Sequence, residues 1–230
     1  MARRGPRPKR RAGFANRLVI LAKSPVLGRV KRRLSRDIGE VEALRFCRTC
    51  LAHTLLRLSR DPRWRCSLAI APDRDVAARL SPSLGRLVRL PQGEGDLGQR
   101  MQRLFRGLPP GPVVIVGGDI PALRSGHIAE AFRRLGNSDA VFGRAPDGGY
   151  WLVGLKRVPK VPTPFANVRW SSPHALADTL ANLDGKRIAY AATLSDVDTG
   201  SDLRRQRNLS GRLILVRTRS AFNSNLRRFG

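Results

Sequence analysis

Short apolar runs alternate with longer segments of helical periodicity along most of this chain, and this alternation limits the possible folds more than any other feature. The runs RLVILA (17–22) and VVIV (113–116) are nearly continuous rather than alternating, which is typical of strands that are covered on both faces. The segments between such runs show helical spacing over 11 to 19 residues. We therefore predict an α/β fold with a mostly parallel central sheet that is flanked by helices.

The expected elements follow from these patterns. Strands are expected at residues 17–22, 66–71, 87–90, 113–116, 139–142, 150–155 and 186–191. Helices are expected at residues 41–59, 97–108 and 125–135, with Ser125 as an N-cap, and a further helix is expected to begin at Ser172. A tight turn is expected at Asp147-Gly148-Gly149.

The charge of the chain is strongly positive and unevenly placed. Its 44 Lys and Arg residues against 17 Asp and Glu residues give a formal net charge of +27. Fourteen of the basic residues lie in segments 1–11 and 204–230, which contain no acidic residue. We therefore predict a basic disordered arm (1–16), one domain (17–203) and a basic C-terminal tail (204–230).

A positive field attracts nucleotides, phosphates and nucleic acids alike, so charge alone does not choose a partner. The sequence has no helix-turn-helix pattern, zinc-finger spacing or aromatic RNA-recognition motif, and 6% of its residues are aromatic. We therefore do not expect a nucleic-acid partner. A non-catalytic nucleic-acid-binding protein remains the alternative that the charge suggests.

The sequence also bears on membranes and on the redox compartment. It contains no uninterrupted run of about 18 apolar residues, so we expect no membrane span. The three cysteines cannot form a disulfide framework, and their odd number fits a reducing compartment. We therefore expect a cytoplasmic protein.

Ligands of parallel sheets bind at the carboxyl ends of the strands, so the loops that follow the strands are the candidate site. The loop after the first strand carries basic side chains around a Pro/Gly turn, a pattern suited to holding a diphosphate: Lys23, Arg29, Lys31 and Arg33. The loop has neither the Walker A pattern nor GxGxxG.

Two aspartates are candidate metal ligands. Asp119 follows the run 113–116 directly after two glycines, so a cation and a substrate phosphate can approach it closely. Mg²⁺ or Mn²⁺ needs one or two carboxylates together with substrate phosphates. In the late segment, Thr199 and Asp202 have the spacing of a helix cap, which leaves Asp198 free to act as a second metal carboxylate.

Asp147 and Trp170 are further candidates. Asp147 is placed either to bind or deprotonate an acceptor hydroxyl or to hydrogen-bond its own turn. Trp170 precedes an expected helix start near the site and is a candidate pocket wall. Each of these loop motifs is a weak indication of function by itself. The order in which all of them occur along the chain is a more specific indication.

In that order the sequence resembles the bacterial glycosyltransferase-like family of nucleotide-diphospho-sugar transferase fold that is associated with radical-SAM or arsenosugar-biosynthesis genes. The resemblance covers roughly residues 17–203. It departs from the family pattern at three positions, where Arg32 replaces Thr, Gly118 replaces Ser and Ile120 replaces Cys. The segments that carry it are AKSPVLGRVKRRL (22–34), GDLGQRM (95–101), VVIVGGDIPAL (113–123), DAVFGRAPDGGYWLVGL (139–155), VRWSSPHAL (168–176) and DVDTGSDL (196–203).

The resemblance implies a Rossmann-like GT-A fold and a set of roles in it. Asp119 and Asp198 would hold the divalent cation, Mg²⁺ or Mn²⁺. Asp147 and Lys31 would be catalytic. The nucleotide phosphates would contact Lys23, Arg29, Lys31, Arg33 and Gly118. The acceptor or pocket wall would be formed by Gly148, Gly149, Tyr150 and Trp170.

The resemblance favours a metal-dependent glycosyltransferase with a nucleotide-sugar donor and a small-molecule acceptor, and it leaves a homodimer open. A nucleotidyltransferase of the same fold is the alternative, acting by guanylyl or cytidylyl transfer to a small phosphorylated acceptor. The nucleotidyltransferase loop is usually Gly-x-Gly after the first strand, whereas Ala22-Lys23-Ser24-Pro25 stands here. That difference favours glycosyl transfer slightly.

Overall fold

The computed structural model describes residues 14–77, 87–157 and 161–210. Its centre is a seven-stranded sheet with the order β3-β2-β1-β4-β6-β5-β7. The strands are β1 (Arg17–Lys23), β2 (Arg65–Ala71), β3 (Val88–Pro91), β4 (Gly111–Gly117), β5 (Ala140–Arg144), β6 (Tyr150–Arg157) and β7 (Ile188–Ala191). Every pairing is parallel except those of β6, which is antiparallel to both β4 and β5. The predicted fold class is confirmed.

Six helices and one 3₁₀ turn connect these strands in the described part of the chain. They are α1 (Arg32–Ile38), α2 (Glu40–Leu58), the 3₁₀ turn Asp73–Asp75, α3 (Leu97–Gly107), α4 (Ser125–Asn137), α5 (Ala175–Ala181) and α6 (Gly200–Ser210). No described helix is long and apolar enough to cross a lipid bilayer.

Two helix starts differ from the sequence prediction. Helix α4 begins at Ser125, but the Ser125 hydroxyl donates to the Arg57 carbonyl across the interface instead of capping its own helix. Helix α5 begins at Ala175 rather than at Ser172, because the Ser172 hydroxyl accepts the His174 amide in a turn that precedes the helix.

The sheet is covered on both faces, as the continuous apolar strands predict. Leu18 and Ile20 point to the side that is covered by α2 and α4, while Val19 between them points to the side of α3 and α5. Successive residues of a strand face opposite sides, so a strand buried on both sides is apolar at every position. Each face forms its own hydrophobic core.

A third, smaller cluster lies beside the sheet and joins α1, α2 and the start of α6. Val197 is fully buried there, although it belongs to no helix or strand. The members of this third cluster are Leu34, Ala43, Phe46, Cys50, Val197 and Leu203. The cluster therefore fixes the segment before α6 against α1.

The predicted arm and tail fall mostly outside the described residues, at 1–13 and 211–230. Helix α6 continues through the predicted boundary at residue 203 to Ser210, and Leu203 on this helix packs into the third cluster. The division into an arm, a domain and a tail stays a prediction.

Candidate active site

A cleft of about 1020 Å³ opens at the carboxyl edge of the sheet. Strands β1, β4 and β7 end at this edge, and β6 begins there because it runs in the opposite direction. The loops that the sequence singled out therefore converge on one place. The cleft is lined by residues from each of them, including Lys23, Lys31, Asp119, Asp147, Trp170 and Asp198.

Lys31 lies at the centre of an acidic triad on one wall of the cleft. Its Nζ atom is 2.5 Å from Asp119 Oδ2, 2.6 Å from Asp198 Oδ1 and 3.4 Å from Asp196 Oδ2. The Lys31 side chain is 10% exposed, whereas the three carboxylates are 41–46% exposed. The ammonium is thus enclosed, while the carboxylates still face solvent.

The backbone of Lys31 has an unusual conformation that places its side chain inside the triad. Lys31 precedes α1 with φ 46° and ψ 52°, in the left-handed region. A non-glycine residue there costs roughly 1 kcal/mol or more, so its surroundings must hold it. Leu34, one turn further on, is fully buried in the third cluster and anchors α1.

The carboxylates come from two separate segments. Asp119 follows β4 directly, and the amide of Gly118 before it donates to the Leu21 carbonyl at 2.9 Å. Asp196 and Asp198 flank Val197, whose side chain is fully buried. In an extended segment, alternate side chains share one side, so burial of Val197 turns both aspartates toward Lys31.

The electrostatics of the cluster follow from this geometry. Burial by itself lowers the pKa of Lys31, but attraction to Asp119, Asp198 and Asp196 raises that pKa well above its usual value. Burial also raises the pKa of Asp196 to about 6, and repulsion from the other two carboxylates adds to this, although Lys31 opposes it. Lys31 is therefore protonated at neutral pH, and three carboxylates around one ammonium leave excess negative charge.

The donor set of the triad fits a divalent cation. One oxygen from each of Asp119, Asp196 and Asp198 can be chosen so that all three lie within 4.8 Å of one another. Carboxylate oxygens are the ligands that Mg²⁺ and Mn²⁺ prefer, and the exposed sides leave room for water ligands. The Lys31 ammonium lies among the same oxygens, so a bound cation requires it to move.

Three of the predicted phosphate ligands, Lys23, Arg29 and Arg33, line the cleft and are exposed. Within residues 14–77, 87–157 and 161–210, their side chains make no hydrogen bond or ion pair. Gly118 also lines the cleft, but a Cβ there would lie 3.0 Å from Leu51 and 3.1 Å from the Leu21 carbonyl. The contacts explain a glycine at position 118 by packing, and its role toward phosphate stays a prediction.

Asp147 lies in the β5–β6 turn and lines the same cleft. Its Oδ1 accepts the Gly149 amide at 3.0 Å, so it does hydrogen-bond its own turn, and its carboxylate is exposed to the cleft. Gly148 has φ 82°, and a Cβ there would lie 2.2 Å from the Pro173 carbonyl oxygen. This glycine lets the turn pack against the segment before α5.

Tyr150 and Trp170 form an aromatic wall. Their rings meet edge to face with centroids 6.3 Å apart, and the Tyr150 hydroxyl lies 3.3 Å from Thr179 Oγ1. Burial raises the pKa of Tyr150 far above its usual value, so Tyr150 stays protonated. Trp170 packs so closely over Gly98 that a Cβ there would lie 2.7 Å from the indole.

The sequence reasoning missed Asp196 as a member of the acidic site. The Asp-Val-Asp spacing at 196–198 carried the signal, because an apolar residue between two acids in an extended segment puts both acids on one side. It also missed Gln92 and Arg100, which line the cleft. The Gln92 amide donates to the Ala22 and Ala69 carbonyls at 3.0 and 2.8 Å and is thereby fixed in orientation.

Known structures share this architecture. A protein from Desulfovibrio desulfuricans G20, provisionally named a nucleotide-diphospho-sugar transferase, is 27% identical, with a TM-score of 0.77 and 90% of each chain covered. The 4-diphosphocytidyl-2C-methyl-D-erythritol synthase of Anaerococcus prevotii DSM 20548 is 12% identical, with a TM-score of 0.55, and the match covers 86% of this chain and 99% of that one. A CMP:2-keto-3-deoxy-manno-octonic acid synthetase complexed with CTP is 13% identical, with a TM-score of 0.54 over 86% and 99% of the chains. No curated protein matches this chain in sequence.

The fold and the cleft place the chain among α/β proteins of the nucleotide-diphospho-sugar transferase and nucleotidyltransferase fold. Residues 54–172, just over half of the chain, match the family described as "Uncharacterized protein conserved in bacteria (DUF2064)". The chain belongs to this family. The matched range includes Asp119, Asp147 and Trp170, while Lys31 and Asp198 lie outside it.

Proposed function

We propose that the protein is a metal-dependent glycosyltransferase that uses a nucleotide-activated sugar. The observation that carries the proposal is the acidic triad of Asp119, Asp196 and Asp198 in the same cleft as unpaired basic side chains from the loop after β1. A diphosphate bridged by a divalent cation has the charge pattern that matches such a site. The proposal keeps Mg²⁺ or Mn²⁺ as the cofactor and a cytoplasmic location, and it leaves a homodimer open.

We assign separate roles in the reaction to the residues that line the cleft. A cation held by Asp119 and Asp198, with Asp196, would supply Lewis-acid stabilisation of a diphosphate leaving group. Lys23, Arg29 and Arg33 are exposed and without a partner in the described chain, so they are available to bind phosphate oxygens. Positive groups that are already in place stabilise developing charge without reorganisation.

Asp147 faces the same cleft from the β5–β6 turn. One of its oxygens accepts the Gly149 amide, which fixes the orientation of the carboxylate. The exposed carboxylate is placed to accept a proton from an acceptor hydroxyl. Trp170 lines the same cleft, and its ring would offer an apolar surface on which a sugar or another acceptor can pack.

Product analysis tests the proposal. The protein is incubated with Mn²⁺, a panel of nucleotide sugars and candidate acceptors, and release of free nucleoside diphosphate is measured. We expect release with at least one donor, and we expect Asp119→Asn to reduce it by at least 100-fold because the leaving group loses its neutralising cation. Asp184→Asn, at an exposed turn whose carboxylate binds its own loop, is the matched control and should leave the rate unchanged.

The same assay distinguishes the second candidate, nucleotidyl transfer. The unpaired cations after β1 would suit a triphosphate as well as a diphosphate, which favours keeping this alternative. Release of pyrophosphate from a nucleoside triphosphate with a phosphorylated acceptor would assign the chain to nucleotidyl transfer. If neither product forms with any donor while nucleotides still bind, the enzyme proposal is wrong.

A further inference from the structure

We propose that Lys31 is an internal cation that occupies the acidic triad until a divalent cation displaces it onto the phosphate of the substrate. Lys31 would thus couple the binding of the metal to the binding of the anionic ligand. This inference rests on the proposed function, because it concerns the same triad and the same cleft.

The first support is the position of the ammonium. Lys31 Nζ contacts Asp119 and Asp198 at 2.5 and 2.6 Å and has Asp196 at 3.4 Å. These are the three residues whose oxygens form the candidate metal-binding group. Two cations in contact with the same carboxylate oxygens repel each other strongly, since the site is partly shielded from water. The ammonium and a divalent cation therefore compete for the triad, and either one strongly weakens the binding of the other.

The second support is the charge balance of the cluster. Three carboxylates and one ammonium leave two net negative charges in a cluster whose cation is 10% exposed. A divalent cation would neutralise the triad more completely than the ammonium does. The exchange is therefore favourable only if the displaced ammonium finds a new anionic partner, because an enclosed cation without one is costly.

The third support is where the displaced side chain can go. Lys31 itself lines the cleft, together with the basic residues Lys23 and Arg33. Its backbone is at the start of α1, in a left-handed conformation that α1 and the third cluster hold in place. The four-carbon side chain can thus swing from the triad into the cleft without moving the helix, and a substrate phosphate there would replace the lost carboxylates.

Coupling of this kind is reciprocal: phosphate should tighten metal binding by the same factor by which metal tightens phosphate binding. A lysine that only binds phosphate would not compete with the metal. A lysine that only stabilises the empty triad would leave it when the metal binds, but it would not make metal binding depend on phosphate. The exchange differs from both in measurable ways.

The ammonium can be observed directly in the wild-type protein. The chain has six lysines, so the side-chain NH₃⁺ signals in a ¹⁵N-correlated NMR spectrum can be resolved, and Lys31→Arg assigns the Lys31 signal. We expect Lys31 to give a protected signal in the metal-free protein with saturating pyrophosphate, and to lose or shift this signal when diamagnetic Mg²⁺ is then added. A Lys31 signal that does not change at Mg²⁺ saturation overturns the exchange.

Affinity measurements supply the second test. Mn²⁺ binding is measured without phosphate for the wild type, Lys31→Met and Lys23→Met. Lys23 lines the same cleft but contacts none of the three carboxylates, so its substitution removes the same charge without emptying the triad. We expect Lys31→Met to bind Mn²⁺ at least 10-fold more tightly than the wild type, and Lys23→Met to change the affinity by less than about threefold. Equal effects of the two substitutions, or no gain in Lys31→Met, overturn the exchange.

Asp119→Ala separates the two proposals. If Mn²⁺ binding depends on Asp119 but Lys31→Met binds no better than the wild type, the exchange is wrong and the metal assignment stands. If Asp119→Ala binds Mn²⁺ as well as the wild type, the metal assignment is wrong and the exchange with it. If the wild type binds Mn²⁺ only in the presence of pyrophosphate, whereas Lys31→Met binds it alone, both are supported. If Lys31→Met does not fold, the NMR titration of the wild type decides.

Discussion

At the scale of single residues, the geometry of the cleft depends on pairs of residues that are far apart in the sequence and that no local spacing predicts. Lys31 and Asp198 are separated by 167 positions and are joined by a 2.6 Å contact. Asp178 and Arg169 form another such pair, in which the carboxylate accepts the Arg169 amide at 3.0 Å and two guanidinium nitrogens at 2.9 and 2.8 Å. This second pair holds the segment that carries Trp170.

Asp178→Asn should lower the melting temperature at pH 7. It should also make the melting temperature fall less steeply as the pH is lowered. The Arg169 hydrogen bonds hold the pKa of Asp178 well below its usual range, so the pair stabilises the fold fully above the ordinary carboxyl pKa of about 3.9. This stabilisation is lost as the pH falls through the lower folded pKa. Melting curves of both proteins from pH 7 to about pH 2 provide the measurement. Parallel curves for the two proteins would contradict the role of the pair.

Only the site residues that have a local sequence signal could be predicted from the sequence. Asp119 and Asp147 were found because each follows a strand end or fills a turn, which are local signals. Asp196 was not predicted, because its orientation toward Lys31 depends on the burial of Val197 in the third cluster, which is tertiary information. The placement of Lys31 inside the triad depends on a left-handed backbone at a lysine, which no local pattern indicates.

At the scale of elements, the third cluster determines the geometry of the triad. Val197 packs with Leu34 and Phe46 and joins the segment before α6 to α1 and α2. The Gly200 amide also donates to Asp37 Oδ2 at 2.7 Å, which ties α6 to α1. Apolar packing thus brings the two aspartates of one segment to the lysine of another.

Val197→Ala should destabilise the protein by about 2 kcal/mol, since it removes two buried methyl groups and leaves a cavity. It should also weaken Mn²⁺ binding at temperatures where the protein is fully folded, because the flanking aspartates lose their anchor. Urea unfolding and Mn²⁺ titration measure the two effects. Val41→Ala, at a position that is 55% exposed on α2, is the control, and the same loss of metal affinity in both variants would argue against this anchoring role.

Most elements could be predicted from the sequence because their signals are local. All seven strands were expected near their observed positions, since each is a short apolar run. Helix α1 was not expected: its residues Arg32–Ile38 bury one side chain, Leu34, and the basic sequence suggested a loop. Its helical state depends on packing against α2, which is tertiary information.

At the scale of the whole molecule, a mostly parallel sheet explains why distant loops form one cleft. The strand order places β1 and β4 next to each other at the centre, so the loop after β1 and Asp119 after β4 are neighbours. The tight turn at Asp147-Gly148-Gly149 predicted that β6 runs back antiparallel to β5, and the structure confirms this. The order of the other strands could not be predicted, because apolar runs specify strands but not their partners.

The net charge of +27 is also a property of the whole molecule, and we expect it to cause non-specific binding to DNA. Removal of residues 1–11 and 211–230 deletes eleven basic residues and leaves α6 intact. We expect the shortened chain to lose DNA affinity and its steep salt dependence, while nucleotide binding in the cleft is unchanged. Fluorescence anisotropy with labelled DNA over a range of salt concentrations measures this. Unchanged DNA affinity would instead assign nucleic-acid binding to the domain itself.

The central claim is that the triad binds a divalent cation together with a nucleotide diphosphate. Its most direct test is a thermal-shift measurement of the wild type and Asp119→Ala with nucleoside diphosphates and nucleotide sugars, each with and without Mn²⁺. We predict that at least one nucleotide with Mn²⁺ raises the melting temperature of the wild type by roughly 5 °C at saturating ligand, that either ligand alone does much less, and that Asp119→Ala loses the effect. An equal shift in Asp119→Ala, or a nucleotide shift that is independent of Mn²⁺, would contradict the claim.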